Sequence, residues 1–204
     1  MINLSEDQID IIKEIINLGV GKAASTLNTI LGSHIKLSVP DIQLLDKDGL
    51  INVLKDDSID NLASVNLSFK GDFTGSAKII FPTDGASKLI SAFAGDAEDE
   101  DDLNEIRVGT LSEIGNIVLN ALMGTISNVL KQSFTYTPPN FLEGNINFIL
   151  AQDRFNQESV SLLAKTNFKI ESIEITGDFV LFFEVGSLDI LLNRIDEYSE
   201  NIGV

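Results

Sequence analysis

Cysteine and tryptophan are absent from this 204-residue sequence, and histidine occurs once, at His34. Without thiols there are no disulfides, no zinc–thiolate sites and no cysteine nucleophile. A single histidine cannot build a multi-histidine metal centre. No G-x-S-x-G elbow accompanies it, which removes the Ser-His-Asp hydrolases. Positive charge is scarce: 14 Lys and Arg stand against 31 Asp and Glu, a formal net charge of −17. Such a field repels nucleic acid and anionic lipid and argues against tight capture of a free nucleotide. No apolar run approaches the roughly 20 residues needed to span a bilayer. The most apolar stretch, Phe179 to Val185, is interrupted by Glu184. Met1 to Asp7 has neither the basic start nor the apolar run of a signal peptide, so a cytoplasmic address is expected.

What is present reads as a globular domain, with 44% hydrophobic and 22% charged residues. Two long helical patterns stand out. The first runs from about Ser5 to Leu31, with Ser5 as N-cap and a stripe of Ile12, Ile15, Ile16, Gly19, Ala23, Leu27 and Ile30. The second runs from about Leu103 to Lys131, with Leu111, Ile114, Gly115, Val118, Leu122 and Ile126 on its stripe. After each helix the hydrophobic period switches towards two. Strands are expected at His34–Leu45, Leu62–Lys70 and Phe73–Phe81, then at Ser133–Tyr136 (extending as far as Leu142), Ser159–Lys165 and Ile173–Val185. Hairpin turns are expected at Gly71-Asp72-Phe73 and Gly177-Asp178-Phe179, the same tripeptide twice. Short helices at Thr83–Phe93 and Ser187–Tyr198 close the two halves.

The order helix, three strands, helix therefore occurs twice, which suggests an internal duplication. The expected fold is a two-layer α+β arrangement of the α/β class, in which both units share one mainly antiparallel sheet with the two long helices packed on it. Residues 1–204 form a single domain in this reading, with halves at about 1–95 and 103–204. Between them the acidic run Asp96 to Asp102 reads as a solvated linker, because an EF-hand loop would need a central Gly and a terminal Glu that are missing.

One spacing supports the duplication. Glu14 and Asn17 lie three apart, and Pro40 follows Asn17 after 22 intervening residues. Glu113, Asn116 and Pro139 repeat this pattern at a constant offset of 99 residues. No other E-x-x-N occurs, and a second match by chance is on the order of one in ten thousand at average residue usage. Positions three apart share a helix face, so each Glu projects beside its Asn. That face lies off the apolar stripe and carries Asp10, Glu14, Asn17 and Gly21 in one helix, and Gly109, Glu113, Asn116 and Asn120 in the other.

The doubled motif, D-x-x-x-E-x-x-N with a proline 23 positions on, resembles the CheC family of chemotaxis phosphatases, related to CheX and FliY. The resemblance spans the whole chain and implies dephosphorylation of a phosphorylated CheY-type response regulator. It implies Glu14, Asn17, Glu113 and Asn116 as the catalytic residues, with Asp10, Gly21 and Asn120 lining the partner-binding face. It further implies no cofactor of the chain's own, since the Mg²⁺ and the scissile phosphate would belong to the regulator. The receptor deamidase CheD is a second partner the family implies. The chemistry suits the residues. An Asn amide offers a donor and an acceptor, so it can orient a water without titrating. In-line attack on an aspartyl phosphate needs positioning more than a strong base. A Glu on the same face can pair with a lysine of the partner's active site.

Gly19-Val20-Gly21-Lys22-Ala23-Ala24 matches the dinucleotide fingerprint G-x-G-x-x-A but sits inside a helical pattern, where that motif does not work. The alternative to an enzyme is a non-enzymatic binding module of the same fold, either a flagellar-switch protein or a CheD-regulating adaptor. Gly109 stands where the first motif has Asp10. On that difference the second site is expected to be the weaker one, with Asn17→Ala more damaging than Asn116→Ala.

Overall fold

The computed structural model describes residues 4–32, 34–55, 61–94, 100–151, 160–170, 173–184 and 186–202. Helix α1 (Glu6–Leu31) begins with a reciprocal cap: Ser5 Oγ accepts from the Gln8 N–H at 3.1 Å, and Gln8 Oε1 accepts from the Ser5 N–H at 3.0 Å. It ends at Gly32, whose φ of 62° is the left-handed turn that a residue without a β-carbon makes at little cost. There follow β1 (Ile35–Leu45), α2 (Lys47–Leu54), β2 (Leu62–Lys70), β3 (Thr74–Pro82), α3 (Thr83–Ala94) and α4 (Glu100–Val129). The chain continues through β4 (Thr135–Tyr136), β5 (Asn140–Gly144), α5 (Ile146–Ala151), β6 (Val160–Ile170), β7 (Ile173–Phe183) and α6 (Ser187–Ile202).

The strands make one antiparallel sheet in the order β1-β6-β7-β3-β2-β4, with β5 also paired to β2. The strand that follows α1 therefore pairs with β6, and the short strands that follow α4 pair with β2. One face is covered by α1, α3, α4 and α6, whose Ile16, Leu27, Leu89, Leu119, Leu122 and Ile195 meet Val65, Ile79, Phe179 and Leu181 of the sheet. Burying each such side chain contributes about 1.5–3 kcal/mol. Phe69, Phe73, Phe134 and Phe183 pack together, with the Phe73 and Phe134 rings 4.8 Å apart in an edge-to-face contact.

The expected antiparallel sheet carrying two long helices stands. Two short helices add to it on the opposite face. There α2 and α5 bury Leu50, Leu54, Ile149 and Leu150 against Ile80, Leu163, Val180 and Phe182. Their caps explain them: Asp46 Oδ1 accepts from the Gly49 N–H at 2.8 Å, and Asn145 Oδ1 accepts from the Phe148 N–H at 2.9 Å.

The second expected turn is corrected. Gly177, Asp178 and Phe179 lie inside β7, opposite Thr166, Lys165 and Ala164. β6 and β7 pair as far as Ile170 and Ile173, and residues 171–172 between them lie outside the described residues. Gly177 is small for another reason, because a β-carbon there would sit 2.7 Å from the Phe81 ring. The first turn does lie between β2 and β3, where Lys70 pairs with Thr74. There a β-carbon on Gly71 would meet the Ser133 carbonyl oxygen at 2.5 Å, so close approach is what demands glycine. Of the acidic run, residues 96–99 lie outside the described residues. Glu100 to Asp102 belong to the first turn of α4.

Helices α1 and α4 touch at backbone distance. A β-carbon on Gly19 would lie 2.8 Å from the Leu122 Cα, whereas Gly21 faces open space. Gly19→Ala is therefore expected to destabilise the protein by about 1–3 kcal/mol through overpacking. Gly21→Ala should be neutral or stabilising by up to about 1 kcal/mol. Thermal denaturation of the two variants checks the contrast, and a stable Gly19→Ala protein would refute the close approach. Asp178, placed within the sheet, has its carboxyl pushed up by burial, partly offset by the charge of Lys165. A raised carboxyl opposes folding at neutral pH, and the opposition fades as pH falls through the folded-state value. Asp178→Asn should accordingly raise Tm at pH 7, with the gain shrinking on acidification. Equal gains at both pH values would refute the burial effect.

Candidate functional site

The helix face defined by the spacing is exposed on both long helices. On α1, Asp10, Glu14 and Gly21 are exposed and Asn17 is half-buried; on α4, Gly109, Glu113 and Asn120 are exposed and Asn116 is half-buried. The amphipathic pattern produces this placement, since Ile15, Ile16 and Val20 on α1 and Ile114, Val118 and Leu119 on α4 turn into the core. The Gly19 to Ala24 fingerprint lies wholly within α1, with no strand before it. His34 is exposed between α1 and β1.

The two asparagines differ in what they hold. The Val39 N–H donates to Asn17 Oδ1 at 2.9 Å. Asn17 Nδ2 donates to the Lys13 carbonyl at 2.9 Å and to the Val39 carbonyl at 3.3 Å. The cause is local. The β1–β6 register shifts between Ser38 and Asp41, so Val39 and Pro40 fall in a bulge outside the paired register. Val39 is buried, and an unsatisfied N–H there would cost about 1–3 kcal/mol. Asn17 supplies the missing acceptor. Asn28 Oδ1 accepts from the Ile35 N–H and ties α1 to the start of the same strand.

On α4 the pattern is different. Asn120 Nδ2 donates to Asn116 Oδ1, a contact one helical turn along the exposed face. At the positions 99 residues on from Val39 and Pro40 the chain has Pro138 and Pro139, in the interval between β4 and β5. The tie from α4 to β5 is made instead by Arg107, whose Nη2 lies 2.6 Å from Glu143 Oε1. Val39 and Pro138 were not among the residues that sequence reasoning singled out. The constant offset of 99 residues would have aligned them, since Val39 corresponds to Pro138.

A cavity of about 440 Å³ is lined by Lys36, Lys88, Lys169, Asp84 and Glu174, among others, and by no motif residue. Ion pairs already join Lys88 to Asp84 at 3.5 Å and Lys169 to Glu174 at 2.7 Å. Among the described residues no cluster of three or more His, Asp or Glu could hold a metal ion, and no helix is long and apolar enough to cross a membrane. Exposed and lined by amide and carboxylate groups, the two faces suit the surface of another protein.

Comparison with known proteins follows the same lines. A family model described as chemotaxis phosphatase CheX matches residues 63–160, and a CheC-like family model matches residues 8–44. The CheY-P phosphatase CheC of Bacillus subtilis is 31% identical over 131 residues, covering 63% of this chain and 62% of the relative. The flagellar motor switch phosphatase FliY of the same organism is 20% identical over 181 residues, covering 88% of this chain and 46% of FliY. The chain thus spans about half to three fifths of the curated relatives it matches. Among solved structures, Thermotoga maritima FliY superposes with a TM-score of 0.76 at 19% identity, covering 97% of this chain and 100% of that one. The Helicobacter pylori (H. pylori) FliM middle domain gives 0.66 at 14% identity, covering 94% and 99%. A structure of the CheX-CheY-BeF3-Mg complex from Borrelia burgdorferi gives 0.56 at 22% identity, covering 84% and 99%. These likenesses share the fold. With two family models on separate parts of the sequence and the CheC relative beside them, the chain is similar to the CheC/CheX/FliY group of chemotaxis proteins.

Proposed function

We propose that this protein removes the phosphoryl group from the aspartyl phosphate of a CheY-type response regulator. The observation that carries the reading is the pair of exposed Glu–Asn faces on α1 and α4, each held outside the core by its helix. The similarity to the CheC phosphatase supports it, as does the presence of a CheX relative in complex with CheY. An asparagine amide reaching into the regulator's site would donate to or accept from the attacking water and hold it in line with the scissile bond. The transition state is loose, so orientation supplies most of what is needed and no strong base is required. The neighbouring Glu would pair with a lysine beside the phosphate and fix the register of docking. Metal and phosphate both arrive with the substrate in this scheme. A phosphate-binding loop and a net positive charge are therefore unnecessary in a chain of −17. The doubled motif reads as a duplicated unit that carries two Glu–Asn pairs.

A second reading rests on the FliM middle domains, which share the fold. On that reading the chain is a binding module of the flagellar switch without turnover.

The deciding experiment adds the purified protein to a regulator phosphorylated by a small-molecule donor and follows the decay of aspartyl phosphate. Acceleration above the regulator's own rate is expected, and binding without acceleration favours the module reading. The double variant Asn17→Ala/Asn116→Ala should abolish the acceleration while the far-UV spectrum stays native. Full activity in that folded protein would remove the amide mechanism. Glu14→Ala/Glu113→Ala should weaken engagement by about 2–5 kcal/mol, the loss expected for a desolvated interfacial charge pair. Unchanged affinity and rate would remove the role given to the glutamates.

A further inference from the structure

The two Glu–Asn pairs carry the same letters at the same spacing, yet their amides are committed differently. Both amide hydrogens of Asn17 are in use, one on the Lys13 carbonyl and one on the Val39 carbonyl, and its oxygen accepts from the Val39 N–H. Presenting this amide to a ligand means breaking bonds that satisfy a buried bulge. Asn116 makes none of these contacts. Its oxygen accepts from Asn120 on the exposed face, and among the described residues its Nδ2 has no hydrogen-bond partner.

We infer that the pairs have divided their labour: Asn116 is the amide that works on the regulator, whereas Asn17 is a latch that closes the β1 bulge onto α1. Proline makes the division possible. At the position equivalent to Val39 the chain has Pro138, which carries no N–H, and Pro139 follows it. No backbone donor at either residue can claim Asn116. The job of tying helix to strand has passed to the Arg107–Glu143 ion pair. In the first half the residue equivalent to Arg107 is Gln8, which caps α1 and donates to Asp196 Oδ1 at 2.9 Å instead. Helix α1 is thus fastened to its strand by Asn17 as well as Asn28, and α4 by Arg107. This ordering reverses the one expected from Gly109, which has open space around it.

The part played by Asn116 rests on the phosphatase reading above; the part played by Asn17 does not. Two measurements on the full chain separate them. In single-turnover dephosphorylation of a phosphorylated CheY-type regulator, Asn116→Ala is expected to slow the stimulated rate at least tenfold, and Asn17→Ala less than threefold. Native-state hydrogen exchange at the Val39 amide is the independent readout. Asn17→Ala should accelerate that exchange and lower Tm by several degrees, and Asn116→Ala should change neither. If Asn17→Ala folds poorly, Asn17→Asp keeps the acceptor for the Val39 N–H and should retain its protection. Pro138→Ala, which restores a backbone donor at the position equivalent to Val39, should leave Tm unchanged and slow turnover. A larger activity loss in Asn17→Ala than in Asn116→Ala overturns the division of labour. Unaltered Val39 exchange in Asn17→Ala overturns the latch. If the wild-type protein accelerates nothing, the phosphatase reading and the role of Asn116 fall together, and the exchange data decide the latch alone.

Discussion

Backbone hydrogen bonding across the chain's midpoint governs the architecture. β1 finds its partner in β6, more than 100 residues later, and β2 is completed by β4 and β5. A sheet assembled in this way cannot be finished by either half alone, because each would leave unpaired N–H and C=O groups along a strand. The pairing also dictates where the long helices go. Each precedes an outer strand and must return over the same face, so α1 and α4 meet above the middle of the sheet at Gly19 and Leu122. Their apolar sides are consumed by that meeting and their polar sides are left outward.

Function then becomes a question of what those outward sides must do for the fold itself. A half-buried amide next to a strand end is always open to recruitment by an unsatisfied backbone group. On α1 it has been recruited. On α4 two prolines have removed the donor that would recruit it. Side-chain identity at the motif is therefore an incomplete guide to activity, since a backbone N–H more than 20 residues away in sequence decides whether the amide is available.

Much of this was legible beforehand. Capping at Ser5, the apolar stripes of α1 and α4 and the alternation in β2 are local signals, and the elements lie close to where those signals put them. The exposed faces followed from helical periodicity. What escaped depended on packing. Asp46-Lys47-Asp48-Gly49 has the composition of a turn, and only the apolar patch beneath Leu50 and Leu54 makes it the start of α2. The tripeptide Gly-Asp-Phe means a turn at 71–73 and strand interior at 177–179, because the Phe81 ring needs the space above Gly177. The engagement of Asn17 depends on a bulge in β1, and the alternation of side chains gives no sign of a register shift.

The prolines have a further consequence for the free molecule. β1 forms one outer edge of the sheet and the β4–β5 segment lies along the other. Pro40 stands in the bulge of the first edge; Pro138 and Pro139 split the second. Thr137 bridges that split, donating its N–H to the Ser68 carbonyl at 3.0 Å and accepting the Ser68 N–H on Oγ1 at 2.9 Å. Neither rim therefore offers a straight run of free donors and acceptors on which a second copy could add a strand. The residues that complete each motif also guard the sheet against edge-to-edge aggregation.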